Sequence, residues 1–348
     1  MVKKRFLIRV DASNEIGHGH AMRCLTLAES HKRKGAQVEF VSQDLPGNVL
    51  AKISEKKIHV HILNNNAINN PQDDCLQTIE IINKSAVCYD WIIVDNYLLD
   101  EAWQKPIFEN GKKIFVIDDL AKSNHYCTCL LNQTFGISSH IYNQKINNTA
   151  TILSGEKYVL LRAEFAELKP VVSLKSEYNN PLAHFFWGAT DINSNCYRFA
   201  KVILENIPKL RLRIVMGSSQ DARINTLSTQ YEDKVELYRD VSNMAETMLG
   251  CNIAIGAPGM ATWERAAMGL PGIYFATSPN QIEILKKLDE KGFCFYLGEV
   301  EKLQDHEIID SLTKILQQAD LLAEVASHNY KIIDALGANR VADFLLEH

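Results

Sequence analysis

The sequence predicts an α/β protein built from two doubly wound, Rossmann-like domains that face each other across a cleft. Short apolar runs alternate with longer helix-like segments along both halves of the 348-residue chain. The apolar runs are continuous rather than alternating, as is typical of strands buried on both faces of a parallel sheet. A chain of this length also suggests two domains. A polar segment with a proline at each end, residues 170–181, predicts the linker between them.

The first series predicts five strands and a long first helix. The helix covers residues 21–34 and ends at Gly35, the usual position of a glycine after a helix C-terminus. Residues 63–74 are rich in asparagine and predict a loop. The predicted strands are residues 6–10, 38–42, 91–95, 113–118 and 129–132.

The second series predicts six strands, with helices over residues 192–205 and 262–268 and a long amphipathic run over residues 319–346. The predicted strands are residues 183–187, 212–216, 234–238, 251–255, 272–276 and 294–297. The predicted domain organisation is a first domain over residues 1–169, the linker, and a second domain over residues 182–332.

Composition and charge bear on the partners and the cellular location of the protein. The formal net charge of −5 argues against a nucleic-acid partner, whose binding surface is normally basic. The N-terminal MVKKRFLIRV has three apolar residues before Arg9, so it predicts neither a signal peptide nor a membrane span. The eight cysteines follow no framework spacing, which favours buried thiols in a reducing compartment. We therefore expect a cytoplasmic protein, with its oligomeric state left open.

The stretch between the first predicted strand and the first predicted helix, residues 9–23, reads RVDASNEIGHGHAMR. Gly17 and Gly19 allow the backbone to turn tightly and to approach a ligand. His20 follows at the first turn of the helix, where outward-pointing amides and the dipole favour an anion. Since the pKa of free histidine is near neutrality, His20 is a candidate acid–base group. The alternative is a βα turn whose histidine caps the helix or packs.

Two segments of the second series place small residues at strand ends. In WGATD, residues 187–191, Gly188 and Thr190 would let a phosphate reach the next helix N-terminus. Asp191, in the same turn, is also an ordinary N-cap residue. Both interpretations stay open at this point.

The segment GAPGMATWERAAMGLPGIYF, residues 256–275, predicts a strand end, a loop containing Gly259 and a helix that carries Glu264. Glu264 is either a ligand contact or a solvated helical charge. After the next strand, Asn280 and Gln281 each offer a hydrogen-bond donor and an acceptor, as recognition of a polar ligand requires. A plain helix N-terminus is the alternative there.

Metal-binding patterns are weak. Two His-x-His pairs have close spacing, but the sequence contains no HExxH and no paired CxxC. Asp118 and Asp119 end a strand and fit either metal ligands or acids that cap a loop. We predict no metal and no cofactor.

Together these motifs resemble the family that hydrolyses UDP-2,4-diacetamido-2,4,6-trideoxy-β-L-altropyranose in pseudaminic acid biosynthesis. The chain differs from the family pattern at Ala189, where glycine is usual, and at Asn96, where histidine is frequent. The N-terminal residues that carry the resemblance are Arg9, Asp11, Gly17, Gly19, His20 and Arg23.

The resemblance implies a glycosyltransferase-B-like fold in which residues 333–348 return to the first domain as a final helix. It implies that the second domain binds UDP, with Glu264 on the ribose, and that water attacks the anomeric carbon with inversion and without a metal. His20 would deprotonate that water, and Asp11 would support His20 or contact the sugar. The residues expected to bind substrate or UDP are Gly17, Gly19, Arg23, Gly188, Thr190, Asp191, Gly259, Glu264, Asn280 and Gln281. The alternatives are a glycosyltransferase with a UDP-sugar donor and a non-catalytic sugar-nucleotide-binding protein.

Overall fold

The computed structural model describes residues 3–169, 178, 180–188, 191, 193–217 and 221–348. Contacts divide the chain into two compact units: unit 1 comprises Met1–Ala163 and Leu336–His348, and unit 2 comprises Glu164–Ala335. The sequence analysis places the corresponding boundaries at residues 169 and 333. Most of the predicted linker, and the predicted site residue Thr190, lie outside the described residues.

Unit 1 is built on a seven-stranded parallel sheet with the order β3-β2-β1-β4-β5-β6-β7. Its strands are β1 (Arg5–Val10), β2 (Gln37–Gln43), β3 (His59–Leu63), β4 (Trp91–Asp95), β5 (Lys113–Ile117), β6 (Cys129–Asn132) and β7 (Thr151–Ser154). The helices between them are α1 (Gly19–Arg33), α2 (Leu50–Glu55), α3 (Pro71–Lys84) and α4 (Glu101–Glu109).

The central strands of this sheet are apolar on both faces because helices cover both. In β1, Phe6 and Ile8 belong to one buried cluster, while Leu7 belongs to the cluster on the opposite face. This separation follows from the alternation of side chains along a strand. Each face of the sheet therefore has its own apolar core.

Unit 2 repeats the plan with a six-stranded parallel sheet in the order β10-β9-β8-β11-β12-β13. Its strands are β8 (Leu182–Phe186), β9 (Arg211–Met216), β10 (Val235–Arg239), β11 (Ile253–Gly256), β12 (Gly272–Ala276) and β13 (Phe295–Glu299). The helices, with α5 starting at the unit boundary, are α5 (Ala163–Leu168), α6 (Asn195–Asn206), α7 (Ala222–Gln230), α8 (Met244–Met248), α9 (Met260–Ala267), α10 (Pro279–Glu290), α11 (Asp305–Leu316) and α12 (Ala319–Ile332). The predicted fold class, two doubly wound parallel α/β domains, is confirmed.

The chain re-enters unit 1 with its final helix, α13 (Gly337–Glu347). Leu345 is fully buried there, and its carbonyl accepts a hydrogen bond of 2.9 Å from Nε1 of Trp91. A Cβ on Gly337 would lie 2.2 Å from the carbonyl oxygen of Val159, so glycine permits this close approach. The amphipathic run over residues 319–346 is divided between two helices, α12 and α13.

The other differences lie at the edges of the first sheet. The edge strands β3 and β7 were not predicted, because they are only partly buried and β3 carries two histidines in its five residues. The predicted loop over residues 63–74 is too long. Helix α3 already begins at Pro71, where the Asn70 side chain accepts a hydrogen bond from the Asp73 amide.

Candidate active site

The candidate site residues cluster where the strand order of each sheet reverses. In unit 1 this point lies between β1 and β4, and in unit 2 it lies between β8 and β11. Open parallel sheets bind ligands at the carboxyl ends of the strands at such points. His20 follows β1, and Asp95 is the last residue of β4. The two residues therefore meet at the carboxyl edge of unit 1.

His20 is oriented by a buried carboxylate. Its Nδ1 lies 2.7 Å from Oδ1 of Asp95. Because an ionised carboxylate can only accept, Nδ1 carries the proton, which leaves Nε2 of the neutral ring as an acceptor. The Asp95 side chain is fully buried, whereas 16% of the His20 side chain is exposed. The pair therefore has the geometry of a general base held by an aspartate.

Arg23, one turn further along α1, also holds Asp95, and its Nη2 lies 3.2 Å from Nδ1 of His20. Its Nε and Nη2 donate to Oδ2 and Oδ1 of Asp95 at 2.6 and 2.7 Å, and its Nη1 pairs with Asp119. Burial by itself would raise the pKa of Asp95, but the charge of Arg23 and the contact with His20 hold it well below the usual range. Arg23, predicted as a substrate contact, is buried and bonded to two carboxylates. Asp95 therefore stays ionised beside His20.

Among the hydrogen bonds of the described residues, none joins Asp11 to His20. Its two oxygens accept from Nη1 and Nη2 of Arg9 at 2.6 and 2.7 Å, and Oδ2 also accepts from the Asn96 amide at 3.0 Å. The support for His20 that the sequence assigned to Asp11 comes from Asp95 instead. Asp11 itself ties the end of β1 to the loop after β4.

The anchor of Asp11 is a completely buried arginine. Arg9 lies between Asp11 and Asp74, and Nε1 of Trp103 donates to Asp74 at 2.8 Å. Although burial lowers the pKa of Arg9, the two carboxylates outweigh it and raise the pKa above the usual value. This network explains why a charge interrupts the apolar run of β1.

The loop after β4 places an aromatic ring against the candidate base. The ring of Tyr97 meets that of His20 edge-on, with centroids 4.7 Å apart. Asn96 holds the loop by donating to Asp11 and by accepting from the Leu98 amide at 2.9 Å. Asn96, the position that departs from the family pattern, thus stabilises the loop that carries Tyr97.

The two aspartates after β5 have different surroundings. Asp118 accepts from the amides of Leu120 and Ala121 at 3.0 and 2.9 Å, so it caps the loop. Asp119 pairs with Arg23. Across the described ranges, no group of three or more His, Cys, Asp or Glu residues is arranged to hold a metal ion.

The glycines before α1 shape its N-terminus. Gly17 has a φ of +80°, a conformation that favours glycine. Gly19 is the first residue of α1. A Cβ at Gly19 would meet no atom of the described residues within 4 Å, so the space beside this glycine is open. His18 points elsewhere, since its Nε2 lies 2.9 Å from the carbonyl oxygen of Gly47.

In unit 2 the corresponding strand ends carry glycines instead of charges. Gly188, Gly256 and Gly259 have φ values of +102°, +142° and +107°. A Cβ at Gly256 would lie 2.0 Å from the carbonyl oxygen of Phe186, whereas Gly188 and Gly259 face open space. Within the described ranges, the backbone is therefore open at Gly188 and at Gly259 on the side where a Cβ would lie.

Asp191 fits the helix-cap interpretation. Its carboxylate accepts from the amides of Asn195 and Cys196 at 3.0 and 2.7 Å, at the start of α6. Burial raises its pKa against the effect of these bonds. Its neighbours Ala189 and Thr190 lie outside the described residues.

The remaining predicted residues of unit 2 differ in burial. Glu264, on α9, is 8% exposed, so it is not a solvated helical charge. Asn280 is exposed, and its side chain accepts from Ser278 at 2.5 Å. Gln281 accepts from the Thr277 amide at 2.8 Å, which ties the start of α10 to the end of β12.

Sequence reasoning assigned no role beside His20 to Asp95 or Tyr97, and it offered Asp119 only as a metal ligand or a loop cap. A signal for Asp95 exists, because it is an acid at the last position of a fully buried strand. Recognising it requires knowing that β4 lies beside β1, which the sequence pattern does not state.

Two consecutive parallel α/β sheets of this kind form the glycosyltransferase-B fold. The spinosyn rhamnosyltransferase SpnG, solved with thymidine diphosphate, has a TM-score of 0.72 and 11% identity, covering 99% of this chain and all of that one. MurG of Acinetobacter baumannii has a TM-score of 0.67 and 12% identity, with coverage of 99% and 100%. These likenesses show the fold.

The sequence relatives are more specific, and they confirm the resemblance inferred from the motifs. The UDP-2,4-diacetamido-2,4,6-trideoxy-β-L-altropyranose hydrolase of Campylobacter jejuni is 26% identical over 70% of this chain and 81% of its own length. The uncharacterized protein MJ1062 of Methanocaldococcus jannaschii is 25% identical over 95% of this chain, which spans 66% of that protein. The spore coat polysaccharide biosynthesis protein SpsG of Bacillus subtilis is 22% identical over 97% of this chain and 96% of its own.

No family model matches the sequence. Within the ranges that the structure describes, no helix is both long and apolar enough to cross a membrane.

Proposed function

We propose that this chain is an enzyme that hydrolyses a UDP-linked sugar to UDP and the free sugar. The observation that carries the proposal is the contact of 2.7 Å between Nδ1 of partly exposed His20 and buried Asp95. This arrangement supplies a base for water at the carboxyl edge of a sheet, where ligands bind. The named Campylobacter relative is a hydrolase of this type.

The substrate we propose is a UDP-linked 2,4-diacetamido-2,4,6-trideoxyhexose, on the pathway to a nonulosonic acid such as pseudaminic acid. The support is the name of the Campylobacter relative, together with the N-terminal motif. The Bacillus relative is named for polysaccharide biosynthesis, which fits sugar-nucleotide chemistry more broadly.

The reaction that follows from the site is a direct displacement by water. Nε2 of His20 takes a proton from water while the water oxygen forms a bond to the anomeric carbon. The bond from that carbon to the diphosphate oxygen breaks, its electron pair leaves with UDP, and the anomeric configuration inverts. Asp95 stabilises the imidazolium that forms, and Arg23 keeps Asp95 ionised.

Unit 2 is the proposed nucleotide-binding part. The open backbone at Gly188 and Gly259 suits a diphosphate, because glycine lets the chain approach phosphate oxygens closely. Glu264 would accept hydrogen bonds from the two ribose hydroxyls. Asn280 and Gln281 would contact the sugar.

The test is a reaction in H₂¹⁸O with the candidate UDP-sugar and no acceptor. We expect release of UDP and free sugar, with the label on the anomeric oxygen of the sugar and none in UDP. Because His20 activates water without a metal in this mechanism, EDTA should leave the rate unchanged. Label in the UDP, or activity that EDTA abolishes and a divalent ion restores, would contradict the mechanism.

The second candidate is a glycosyltransferase, because the solved structures of similar fold include the rhamnosyltransferase SpnG. His20 would then deprotonate an acceptor hydroxyl in place of water. Turnover that appears only when an acceptor is added would favour this function. Binding of the UDP-sugar without any turnover would indicate a non-catalytic binding protein.

A further inference from the structure

Unit 2 buries an arginine between its two glycine loops. Arg265, on α9, is fully buried. Its Nη1 donates to the carbonyl of Ala257 at 3.0 Å, and its Nη2 donates to that of Phe186 at 2.9 Å. Phe186 ends β8, and Ala257 follows β11, so one side chain joins the two loops at the strand reversal of unit 2.

The charge of Arg265 is not neutralised. Within the described ranges it forms no ion pair, and its Nε has no hydrogen-bond partner. The uncharged side chain of Tyr274 lies beside the guanidinium, with its ring centroid 5.3 Å from Cζ and a hydrogen bond between the two side chains. Nearby His184 cannot compensate the charge, because an imidazole is either neutral or positive. Burial and the charges of Arg265 and Arg213 hold its pKa well below the usual value, which favours the neutral ring. Buried charges are normally paired, since an unpaired one is costly to remove from water.

A second arginine of unit 2 shows the usual arrangement. Arg213 also holds two backbone carbonyls, those of Thr247 and Leu249, at 3.0 and 2.6 Å. Its Nε, however, pairs with Glu236 at 2.6 Å. Arg265 therefore does the same structural work as Arg213 but leaves a positive charge uncompensated.

We infer that Arg265 is the positioning residue of the diphosphate site: it fixes both glycine loops and supplies the positive charge that the bound diphosphate neutralises. This inference rests on the proposed function. Arg265 does not touch the diphosphate in this proposal. Its positive charge attracts the diphosphate electrostatically, and the open backbone at Gly188 and Gly259 contacts the phosphate oxygens. Asp191, the acid of the first loop, is engaged in capping α6. Arg265 thus distinguishes a nucleoside diphosphate from a nucleoside.

The test compares the binding of UDP and of uridine by calorimetry. Arg265→Met should weaken UDP binding by about tenfold or more, because one unit of positive charge is lost from a buried site. Uridine, which has no phosphate, should bind within about threefold of the wild type. The control is Arg213→Met, which removes an arginine that also holds two backbone carbonyls but is paired with Glu236, and it should leave the ratio of the two affinities unchanged.

Two further measurements separate charge from structure. Arg265→Lys retains the charge and should keep most of the preference for UDP over uridine. In the hydrolysis assay, Arg265→Met should lower kcat as well as raise KM for the UDP-sugar, because negative charge on the diphosphate grows as its bond to the anomeric carbon breaks.

Several outcomes would overturn the inference. Equal losses of UDP and uridine binding in Arg265→Met would make the arginine a structural clamp alone. If that variant does not fold, a folded Arg265→Lys that has lost the preference for UDP would overturn the inference equally. Wild-type protein that binds neither ligand would overturn the proposed function as well, whereas binding of both ligands with an unaltered ratio in Arg265→Met refutes only the role of Arg265.

Discussion

The two sheets have the same kind of strand reversal, but different residues lie at the carboxyl ends of the strands there. At the strand reversal of unit 1, the ends of β1 and β4 carry charged side chains, and His20, Asp95 and Arg23 form a connected network. At the reversal of unit 2, the strand ends carry glycines of positive φ and expose backbone. Proton transfer needs titratable side chains, whereas a phosphate is held well by backbone amides. This contrast is the basis of the proposed function, in which unit 1 supplies the base and unit 2 binds the diphosphate.

The largest effect is expected from His20→Asn, which removes the proposed base of unit 1. It should lower kcat by roughly 10²–10⁴-fold, the range for a lost general base. Asparagine can hydrogen-bond a water but cannot accept its proton. Steady-state kinetics with the UDP-sugar would measure the effect, and UDP binding should persist. The control is His18→Asn, whose ring contacts only a loop carbonyl at Gly47 in the described structure and whose loss should matter far less. A larger effect at His18 would show that the stretch is structural.

A smaller effect is expected from Asp95→Asn, about 10²-fold in kcat, because the neutral amide no longer stabilises an imidazolium on His20. The pH–rate profile should shift at the same time. Asp119→Asn is the matched control, since Asp119 contacts Arg23 and not His20. Equal losses in both variants would mean that the network acts only by holding the fold.

On the unit 2 side, Glu264→Ala should weaken the binding of UDP and of uridine alike, by about tenfold, the scale of a hydrogen bond to a charged group. The value of kcat at saturation should stay within about threefold, because a ribose contact contributes equally to ground and transition states. Calorimetry and kinetics measure the two quantities. Normal uridine affinity would remove Glu264 from the nucleotide site.

The smallest effect concerns stability in acid. His31, on α1, is fully buried against Phe6, and burial together with Lys34 lowers its pKa from 6.5 to about 3. Because the unfolded chain binds the proton more readily, stability is lost as the pH falls from about 6.5 towards 3, by up to about 1.4 kcal/mol per pH unit. His31→Phe should therefore reduce the loss between pH 7 and pH 5 by about 2 kcal/mol.

Urea unfolding at the two pH values measures this difference. His184→Phe in unit 2 is the comparison, because that histidine is also buried with a lowered pKa but keeps one contact, at 3.1 Å, with Thr247. An unchanged pH dependence in His31→Phe would show that other groups dominate the acid sensitivity of unit 1.

The sequence predicts the fold well because the central strands are continuous apolar runs, which only a doubly covered sheet can bury. It predicts the edges poorly, since β3 and β7 are partly exposed and lack that pattern. His20 is found from its local motif. Its partner Asp95 is 75 residues away, so the contact depends on the order of the strands. Arg265 is missed for a similar reason: an arginine in a helix looks solvated until its burial is known.

The return of α13 has a consequence for the order in which the protein is made. Val341, Ala342 and Leu345 complete a buried face of unit 1, but they are translated after the whole of unit 2. Domains usually form during synthesis in the order in which they leave the ribosome. Unit 1 leaves the ribosome first, but α13, which packs on Trp91, is translated only after unit 2. Unit 2 has all its strands by then. The half that carries His20 is therefore finished last, and a chain cut short before α13 would present an incomplete core to chaperones.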